Sequence, residues 1–188
     1  MNLPNKLTVA RIILAPIYLF AMVSDFKYHF IIALIIFAAA SITDFLDGYL
    51  ARKNNQVTVF GKLCDPLADK MLTTAALLAF MKLGICSIWP VMIILTREFL
   101  ITSFRLVATS QGVIIPAGIL GKIKTACQMI FSIIIMAGCQ RHINALEAFE
   151  PFAGVSKALL WITALLAVIS GVKYLIDGVK IIDFKQEN

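Results

Sequence analysis

The sequence predicts an all-α polytopic membrane protein with six transmembrane helices and an amphipathic N-terminal interfacial segment. Of its 188 residues, 60% are hydrophobic and only 15% are charged, and its mean hydropathy is +0.89. Soluble domains are nearer half apolar and a quarter charged. Long apolar runs alternate with short polar turns, and each transmembrane helix needs roughly 20 apolar residues. We therefore expect one integral-membrane domain over residues 1–188.

The first predicted segment runs from residue 1 to about residue 23 and begins with an amphipathic stretch. Asn5, Thr8 and Arg11 recur at helical spacing on one face. Two interpretations stay open for this face. It belongs either to an interfacial helix, with Lys6 and Arg11 snorkelling to the headgroups, or to the wall of a polar site.

Five further spans follow in order. They are expected over about 30–52, 60–83, 88–107, 118–139 and 158–176. The third carries Pro66, which removes one backbone donor and should bend the helix. The connections are a polar turn at 53–56, an uncharged turn at 84–87, a loop at 109–117 and the longest polar link at 141–151. An amphipathic tail is expected over 177–185.

The basic residues predict the orientation in the membrane. All but four of the 17 fall on the face that holds the termini and the 53–56 turn, the exceptions being Lys27, Lys82, Arg141 and Lys157. The positive-inside rule therefore puts this face in the cytoplasm. In a membrane protein a net charge of +6 favours anionic lipid headgroups as partners, not nucleic acid.

Four of the 11 acidic residues fall in one short stretch, at Asp44, Asp47, Asp65 and Asp69. Spacings of three and four place each pair on one helix face. Because the two helices are joined by a short turn, they should be antiparallel and bring the four carboxylates to one membrane level. Carboxylates beside hydrocarbon need a partner or a cation, and their oxygens suit Mg²⁺, Mn²⁺ or Ca²⁺. The pattern predicts a two-metal site able to clamp a phosphoryl or pyrophosphoryl group.

The residues between these aspartates fit the same chemistry. Gly48, Ala51 and Gly61 are small, so a phosphate or a base can approach the helix backbone. Arg52 adds a cation with bidentate geometry. Asp69, the last of its stripe, is the candidate general base for an attacking hydroxyl. Direct displacement by that hydroxyl is the simpler mechanism.

The charged residues allow other interpretations. In these, the aspartates form either a structural network of ion pairs or the ion path of a divalent-cation transporter. A transporter predicts acidic residues at mid-membrane on both sides of a pathway, whereas these lie at one face beside Gly and Arg. Arg97 and Glu98 should face the bundle interior, where a neutralising pair is one interpretation. Lys122 and Lys124 are either headgroup anchors or ligands of an anion.

The motifs resemble a known family. Asp44-x-x-Asp47-Gly48-x-x-Ala51-Arg52, eight residues, then Gly61-x-x-x-Asp65-x-x-x-Asp69 resembles the signature of the CDP-alcohol phosphatidyltransferases at every position. Further stretches resemble the members that synthesise phosphatidylglycerophosphate: Pro4-Asn5-x-Leu7-Thr8-x-x-Arg11, Asp65-Pro-Leu-Ala-Asp69-Lys70, Arg97-Glu98 and Gly121-Lys122-x-Lys124-Thr125. The resemblance covers nearly the whole chain.

The resemblance implies a six-helix fold, usually homodimeric, with a cavity open to the cytoplasmic leaflet. It implies transfer of a phosphatidyl group from CDP-diacylglycerol to the 1-hydroxyl of sn-glycerol 3-phosphate, with release of CMP, in phosphatidylglycerol and cardiolipin biosynthesis. It further implies two divalent cations, Mg²⁺ or Mn²⁺, and a location in the bacterial inner or plasma membrane. Members with another acceptor, such as phosphatidylglycerol in a cardiolipin synthase or an inositol phosphate, remain alternatives.

The resemblance also implies roles for individual residues. Metal ligands would be Asp44, Asp47, Asp65 and Asp69, with Asp69 also the catalytic base. The CDP-diacylglycerol site would comprise Gly48, Ala51, Arg52 and Gly61, together with Asn5 and Thr8. The glycerol 3-phosphate site would comprise Arg105, Lys122, Lys124 and Arg97, because a dianionic acceptor needs cations.

Overall fold

The computed structural model describes residues 3–53, 59–113, 115–116, 118–142 and 146–179. For residues 3–4, 44–53, 59–63, 65, 69, 141–142 and 146–151 it describes the backbone alone. The described part of the chain forms helices and no strand, which confirms the predicted all-α class. The helices are α1 (Leu3–Val23), α2 (His29–Lys53), α3 (Val59–Lys82), α4 (Ile88–Ser110), α5 (Ile119–His142) and α6 (Leu146–Val179).

Judged by the residues that the structure describes, three of these helices are long and apolar enough to cross a membrane. The stretches concerned are Asn5–Val23 in α1, Ile119–Gln140 in α5 and Phe152–Val179 in α6. In α2 the apolar stretch within the described residues is shorter, His29–Thr43, and in α3 and α4 charged residues interrupt the apolar sequence. The described chain therefore has the composition of an integral membrane protein.

Two predicted connections are corrected. The polar link expected over 141–151 is mostly helical, because α5 continues to His142 and α6 begins at Leu146. Leu146, Glu147 and Ala148 are good helix formers, so polarity there did not indicate a loop. The loop expected from residue 109 begins later, since α4 runs through Ser110.

Glycines set the ends of α3 and α4. Gly84 and Gly112 have φ values of 72° and 74°, in the left-handed region where a side chain is disfavoured. After Gly84, the Ile85 N–H donates to the Phe80 carbonyl at 2.9 Å, and after Gly112, the Val113 N–H donates to the Ala108 carbonyl at 2.9 Å. These are Schellman motifs, which satisfy carbonyls that the last helical turn leaves without partners.

The turn after α3 also contains a buried cysteine. Burial raises the pKa of the Cys86 thiol to about 11. Since the thiolate is the nucleophilic form, Cys86 is unreactive near neutral pH. All four cysteines of the chain are free thiols.

The described chain divides into two compact units. The first contains residues 1–85 and 132–154. In it, α1 packs against both α2 and α3. Small buried residues make this close approach possible, as they do between membrane helices generally. They are Ala15 and Ala21 of α1, Ala33 and Ala40 of α2, and Ala68, Ala75, Ala76 and Ala79 of α3.

Larger side chains make two further sets of contacts between helices of the same unit. The rings of Tyr18 and Phe37 lie 5.7 Å apart between centroids, and the Tyr18 hydroxyl donates to Met136 Sδ at 3.4 Å. The ring of Phe152 at the start of α6 lies directly over Gly138 of α5, where a Cβ atom would clash with it. Gly138 therefore lets the ends of α5 and α6 pack closely.

The second unit contains residues 86–131 and 155–188, and so α4, the first half of α5 and most of α6. Arg97 of α4 lies against Gly171 of α6, and Phe104 lies against Gly178. Since the contacting residue numbers increase in the same direction along both helices, α4 and α6 run parallel. This arrangement positions the polar residues described next.

Candidate active site

The four aspartates of the predicted metal site lie on helices in the first unit. Asp44 and Asp47 belong to α2 and Asp65 and Asp69 to α3, and the backbone is helical at all four positions. Helical backbone confirms that each pair is spaced for one helix face. The aspartate side chains lie outside the described residues, so their convergence stays a prediction.

Four of the residues predicted to bind CDP-diacylglycerol lie on the same two helices. The backbone is helical at Gly48, Ala51 and Arg52 in α2 and at Gly61 in α3, but their side chains too are outside the description. Asn5 and Thr8 of α1 are buried. Arg11 is buried as well, at 2% exposed. Of the two interpretations of this helix face, the one in which Arg11 snorkels to the headgroups is therefore wrong.

A buried charge cluster occupies the second unit, between α4 and α5. The Glu98 Oε1 atom accepts hydrogen bonds from Arg97 Nη1, at 3.1 Å, and from the Lys124 ammonium group. Lys124 also donates to Gln128 Oε1 at 2.5 Å. Lys124 is 1% exposed and Glu98 8%. One carboxylate thus serves two cations, and these three groups together carry a net positive charge.

A cavity of about 320 Å³ opens beside this cluster, at the C-terminal ends of α4 and α6 and the start of α5. Among the residues whose side chains the structure describes, three cations line it, Arg97, Arg105 and Lys173, and one carboxylate, Asp177. Its remaining lining comprises Ile115, Pro116, Gly118, Ile119, Leu120, Gly121, Ser170 and Tyr174. Such an excess of positive charge suits a small phosphorylated ligand.

Arg105 is held in this cavity by an aromatic residue of α6. Its Nε donates to the Tyr174 hydroxyl at 3.1 Å, and its guanidinium carbon lies 5.3 Å from the Tyr174 ring centroid. Tyr174 in turn packs edge-on against Phe104, with centroids 6.1 Å apart. A Cβ atom at Gly178 would clash with the Phe104 ring. The small residue at position 178 therefore supports the placement of Arg105.

Arg97 is held by two glycines as well as by Glu98. A Cβ atom at Gly121 would lie 3.3 Å from Arg97 Nη2, and one at Gly171 would lie 3.0 Å from Arg97 Cγ. Both distances are tighter than ordinary van der Waals contact. The arginine therefore passes between α5 and α6 through space that only glycine leaves open.

The structure separates the four residues predicted for an acceptor phosphate. Arg97 and Arg105 line the cavity, whereas Lys124 is buried against Glu98 and Gln128. Lys122 is exposed and is not among the lining residues. The sequence interpretation missed Ser170, Lys173, Tyr174 and Asp177. A signal was present, since Ser170, Lys173 and Asp177 recur at spacings of three and four in an otherwise apolar helix.

The chain was compared with known proteins. Residues 1–169 match the family model described as CDP-alcohol phosphatidyltransferase. A CDP-diacylglycerol–glycerol-3-phosphate 3-phosphatidyltransferase of Bacillus subtilis is 40% identical over 186 residues, covering 92% of this chain and 93% of the relative. The enzyme of the same name from Rickettsia felis is 38% identical over 174 residues, covering 92% and 93%. A probable phosphatidylglycerophosphate synthase of Mycobacterium tuberculosis is 36% identical over 176 residues, covering 92% and 79%.

The family model extends over most of the chain, and the relatives align along nearly all of it at identities above a third. The protein belongs to the CDP-alcohol phosphatidyltransferase family.

Proposed function

We propose that the protein transfers the phosphatidyl group of CDP-diacylglycerol to the 1-hydroxyl of sn-glycerol 3-phosphate, giving phosphatidylglycerophosphate and CMP. The observation that carries the proposal is the cavity lined by Arg97, Arg105 and Lys173. A phosphate dianion needs such a set of cations, whereas a neutral alcohol acceptor does not. The names of the Bacillus and Rickettsia relatives support the same acceptor.

The aspartates suit the metal chemistry of the family. Four carboxylates on helical backbone, at spacings of three and four, offer the hard oxygen ligands that Mg²⁺ or Mn²⁺ prefers. In this proposal Asp44, Asp47, Asp65 and Asp69 hold two divalent cations, which would polarise the donor's pyrophosphate and stabilise charge on the departing CMP. Among the described residues no other group of three His, Cys, Asp or Glu side chains is placed to hold a metal.

In this proposal the chain's own residues carry out the proton transfer and bind the two substrates. Asp69 accepts the proton of the acceptor's 1-hydroxyl as that oxygen attacks the donor phosphorus. The small positions Gly48, Ala51 and Gly61, with Arg52, Asn5 and Thr8, form the donor site in this proposal. Arg97, Arg105 and Lys173 bind the acceptor phosphate. Lys124 contributes through Glu98, and Lys122 adds positive charge near the start of α5.

The setting of the reaction is also part of the proposal. We infer six membrane spans, an interfacial start to α1, and one catalytic domain over residues 1–188. The basic residues favour a cytoplasmic active site in the bacterial inner or plasma membrane. The protein acts as a homodimer, in line with the family resemblance.

A panel of acceptors tests the function. Purified protein in detergent receives labelled CDP-diacylglycerol, Mg²⁺ and, in separate reactions, sn-glycerol 3-phosphate, phosphatidylglycerol, an inositol phosphate or serine. We expect CMP release and a new lipid only with glycerol 3-phosphate. A lipid product with phosphatidylglycerol or inositol phosphate alone would assign the protein to another branch of the family.

Replacing Arg105 with glutamine tests the acceptor cavity. The change removes one charge-assisted contact to the acceptor phosphate, worth about 1.5–3 kcal/mol, so KM for glycerol 3-phosphate should rise roughly 10- to 100-fold. KM for CDP-diacylglycerol should change little. Steady-state kinetics with each substrate varied in turn measure the split. Lys157→Gln, on the exposed face of α6, is the matched control; equal effects on both substrates would remove Arg105 from the acceptor site.

Replacing Gly171 with alanine tests the placement of Arg97. The new Cβ would lie 3.0 Å from Arg97 Cγ and must displace it by a few tenths of an ångström. We expect a several-fold higher KM for glycerol 3-phosphate with a nearly unchanged KM for the donor. Gly154→Ala, in the same helix, is the control because its Cβ would meet nothing within 4 Å. Identical kinetics for the two variants would show that Arg97 does not need this space.

A further inference from the structure

One carboxylate lines the basic cavity without a role in the proposed transfer. It belongs to Asp177 of α6, the one anionic side chain among the described residues that line the cavity. Asp177 is exposed, and no ion pair or hydrogen bond joins its carboxylate to a residue that the structure describes. Because a carboxylate repels a phosphate, its presence in a cavity suited to a phosphate points to a second kind of contact with the ligand.

The neighbouring cations indicate where a phosphate would lie relative to this carboxylate. Lys173 and Asp177 are four residues apart on α6, so they share one helix face and are separated by about 6 Å along the axis. The Nε atom of Arg105 donates to the Tyr174 hydroxyl at 3.1 Å, which places this arginine beside the same turn of α6. A phosphate held between Arg105 and Lys173 therefore leaves Asp177 to the atoms that follow the phosphate in the ligand.

We propose that the Asp177 carboxylate accepts a hydrogen bond from the 2-hydroxyl of the acceptor and so determines the acceptor's specificity. The inference rests on the proposed function, in which the acceptor phosphate lies at the cations and the 1-hydroxyl attacks the donor. The 2-hydroxyl is the group of sn-glycerol 3-phosphate that is left without a partner. It is a hydrogen-bond donor on the carbon next to the phosphate-bearing one, and a carboxylate is an acceptor.

The size of the preference follows from the exposure of Asp177. A hydrogen bond to a charged group favours a ligand that makes it over one that cannot by roughly 10- to 100-fold. Because Asp177 is exposed, water competes for its carboxylate. We therefore expect the lower end of this range, a roughly tenfold preference for an acceptor with a 2-hydroxyl.

A pair of acceptors tests the contact. 3-Hydroxypropyl phosphate has the phosphate, the three-carbon chain and the attacking hydroxyl of sn-glycerol 3-phosphate but lacks the 2-hydroxyl. CMP release gives kcat/KM for both acceptors in the unchanged protein, in Asp177→Ala and in Asp25→Ala, a matched control at an exposed aspartate of the first unit. Since the ratio of the two values is measured within one preparation, any loss of folded protein cancels.

We expect a ratio of roughly ten in the unchanged protein and in Asp25→Ala, and a ratio near one in Asp177→Ala. Asp177→Asn should give an intermediate ratio, because its amide oxygen still accepts a hydrogen bond without a charge, and it supplies the comparison where the alanine variant does not fold. A ratio near one in the unchanged protein, or a ratio that stays the same in both Asp177 variants, would overturn the inference.

Two further outcomes separate this inference from its alternatives. An equal rise in kcat/KM for both acceptors in Asp177→Ala would show that Asp177 only balances the charge of the cations, which also overturns the inference. In all these cases CMP release with sn-glycerol 3-phosphate would leave the proposed function standing. No CMP release with that acceptor in the unchanged protein would instead refute the proposed function, and the role of Asp177 would be refuted with it.

Discussion

Replacing Asp69 with asparagine should reduce turnover by about three orders of magnitude, the middle of the range that a general base contributes. The amide is nearly the same size as the carboxylate but cannot accept the proton of the acceptor hydroxyl. The other three aspartates of the motif remain to hold the cations that bind the donor's pyrophosphate. Binding of CDP-diacylglycerol should therefore be largely retained.

Two measurements check this expectation. CMP release in the presence of glycerol 3-phosphate reports turnover, and calorimetric titration with CDP-diacylglycerol reports donor binding. Asp25→Asn, an exposed aspartate in the turn between α1 and α2, is the matched control and should keep full activity. Normal CMP release by Asp69→Asn would remove Asp69 as the base. Loss of donor binding together with turnover would make it a metal ligand without a separate catalytic role.

Replacing Glu98 with glutamine should destabilise the protein by about 3–5 kcal/mol. Both Arg97 and Lys124 donate to Glu98 Oε1, and Lys124 is almost fully buried. Removal of this carboxylate takes the anion away from the buried Lys124 ammonium group and from the Arg97 guanidinium beside it. The cost arises from the lost compensation of buried charge and not from the loss of one hydrogen bond.

The double variant Glu98→Gln with Lys124→Met separates these causes. It removes the carboxylate and one of its cations, so most of the lost stability should return. Unfolding in mixed SDS and mild-detergent micelles measures the free energy for the single and double variants, with Lys157→Gln as the exposed control. If the double variant were as unstable as Glu98→Gln alone, buried charge would not be the source of the loss.

Much of the helical layout could be predicted from the sequence, because apolar runs of about 20 residues and glycine-marked turns are local signals. Gly84 and Gly112 end α3 and α4 through conformations that other residues rarely adopt. The 141–151 link was misjudged for an equally local reason. Its polar residues sit among good helix formers, and packing of Phe152 over Gly138 is visible only once α5 and α6 are folded.

The aspartate motif could be predicted because its chemistry lies within two neighbouring helices. The acceptor cavity could be predicted only in part, since it draws on α4, α5 and α6 together. Lys122 and Lys124 were treated alike, yet residues two apart on a helix point in different directions. Lys124 is buried against Glu98 while Lys122 is exposed. Which of the two turns inward depends on the position of Glu98 across the helix interface, and no local pattern reveals that.

The bond between Arg105 and Tyr174 has a consequence for the thermodynamics of acceptor binding. A free arginine side chain carries about 2 kcal/mol of rotamer entropy, which is lost when it closes on a phosphate. Tyr174 contacts the guanidinium of Arg105 through both its hydroxyl and its ring, and Phe104 packs edge-on against the Tyr174 ring. The side chain is therefore ordered when the protein folds, and a ligand arriving in the cavity meets a preorganised cation. Part of the affinity for the acceptor is thus stored in the contact between α4 and α6.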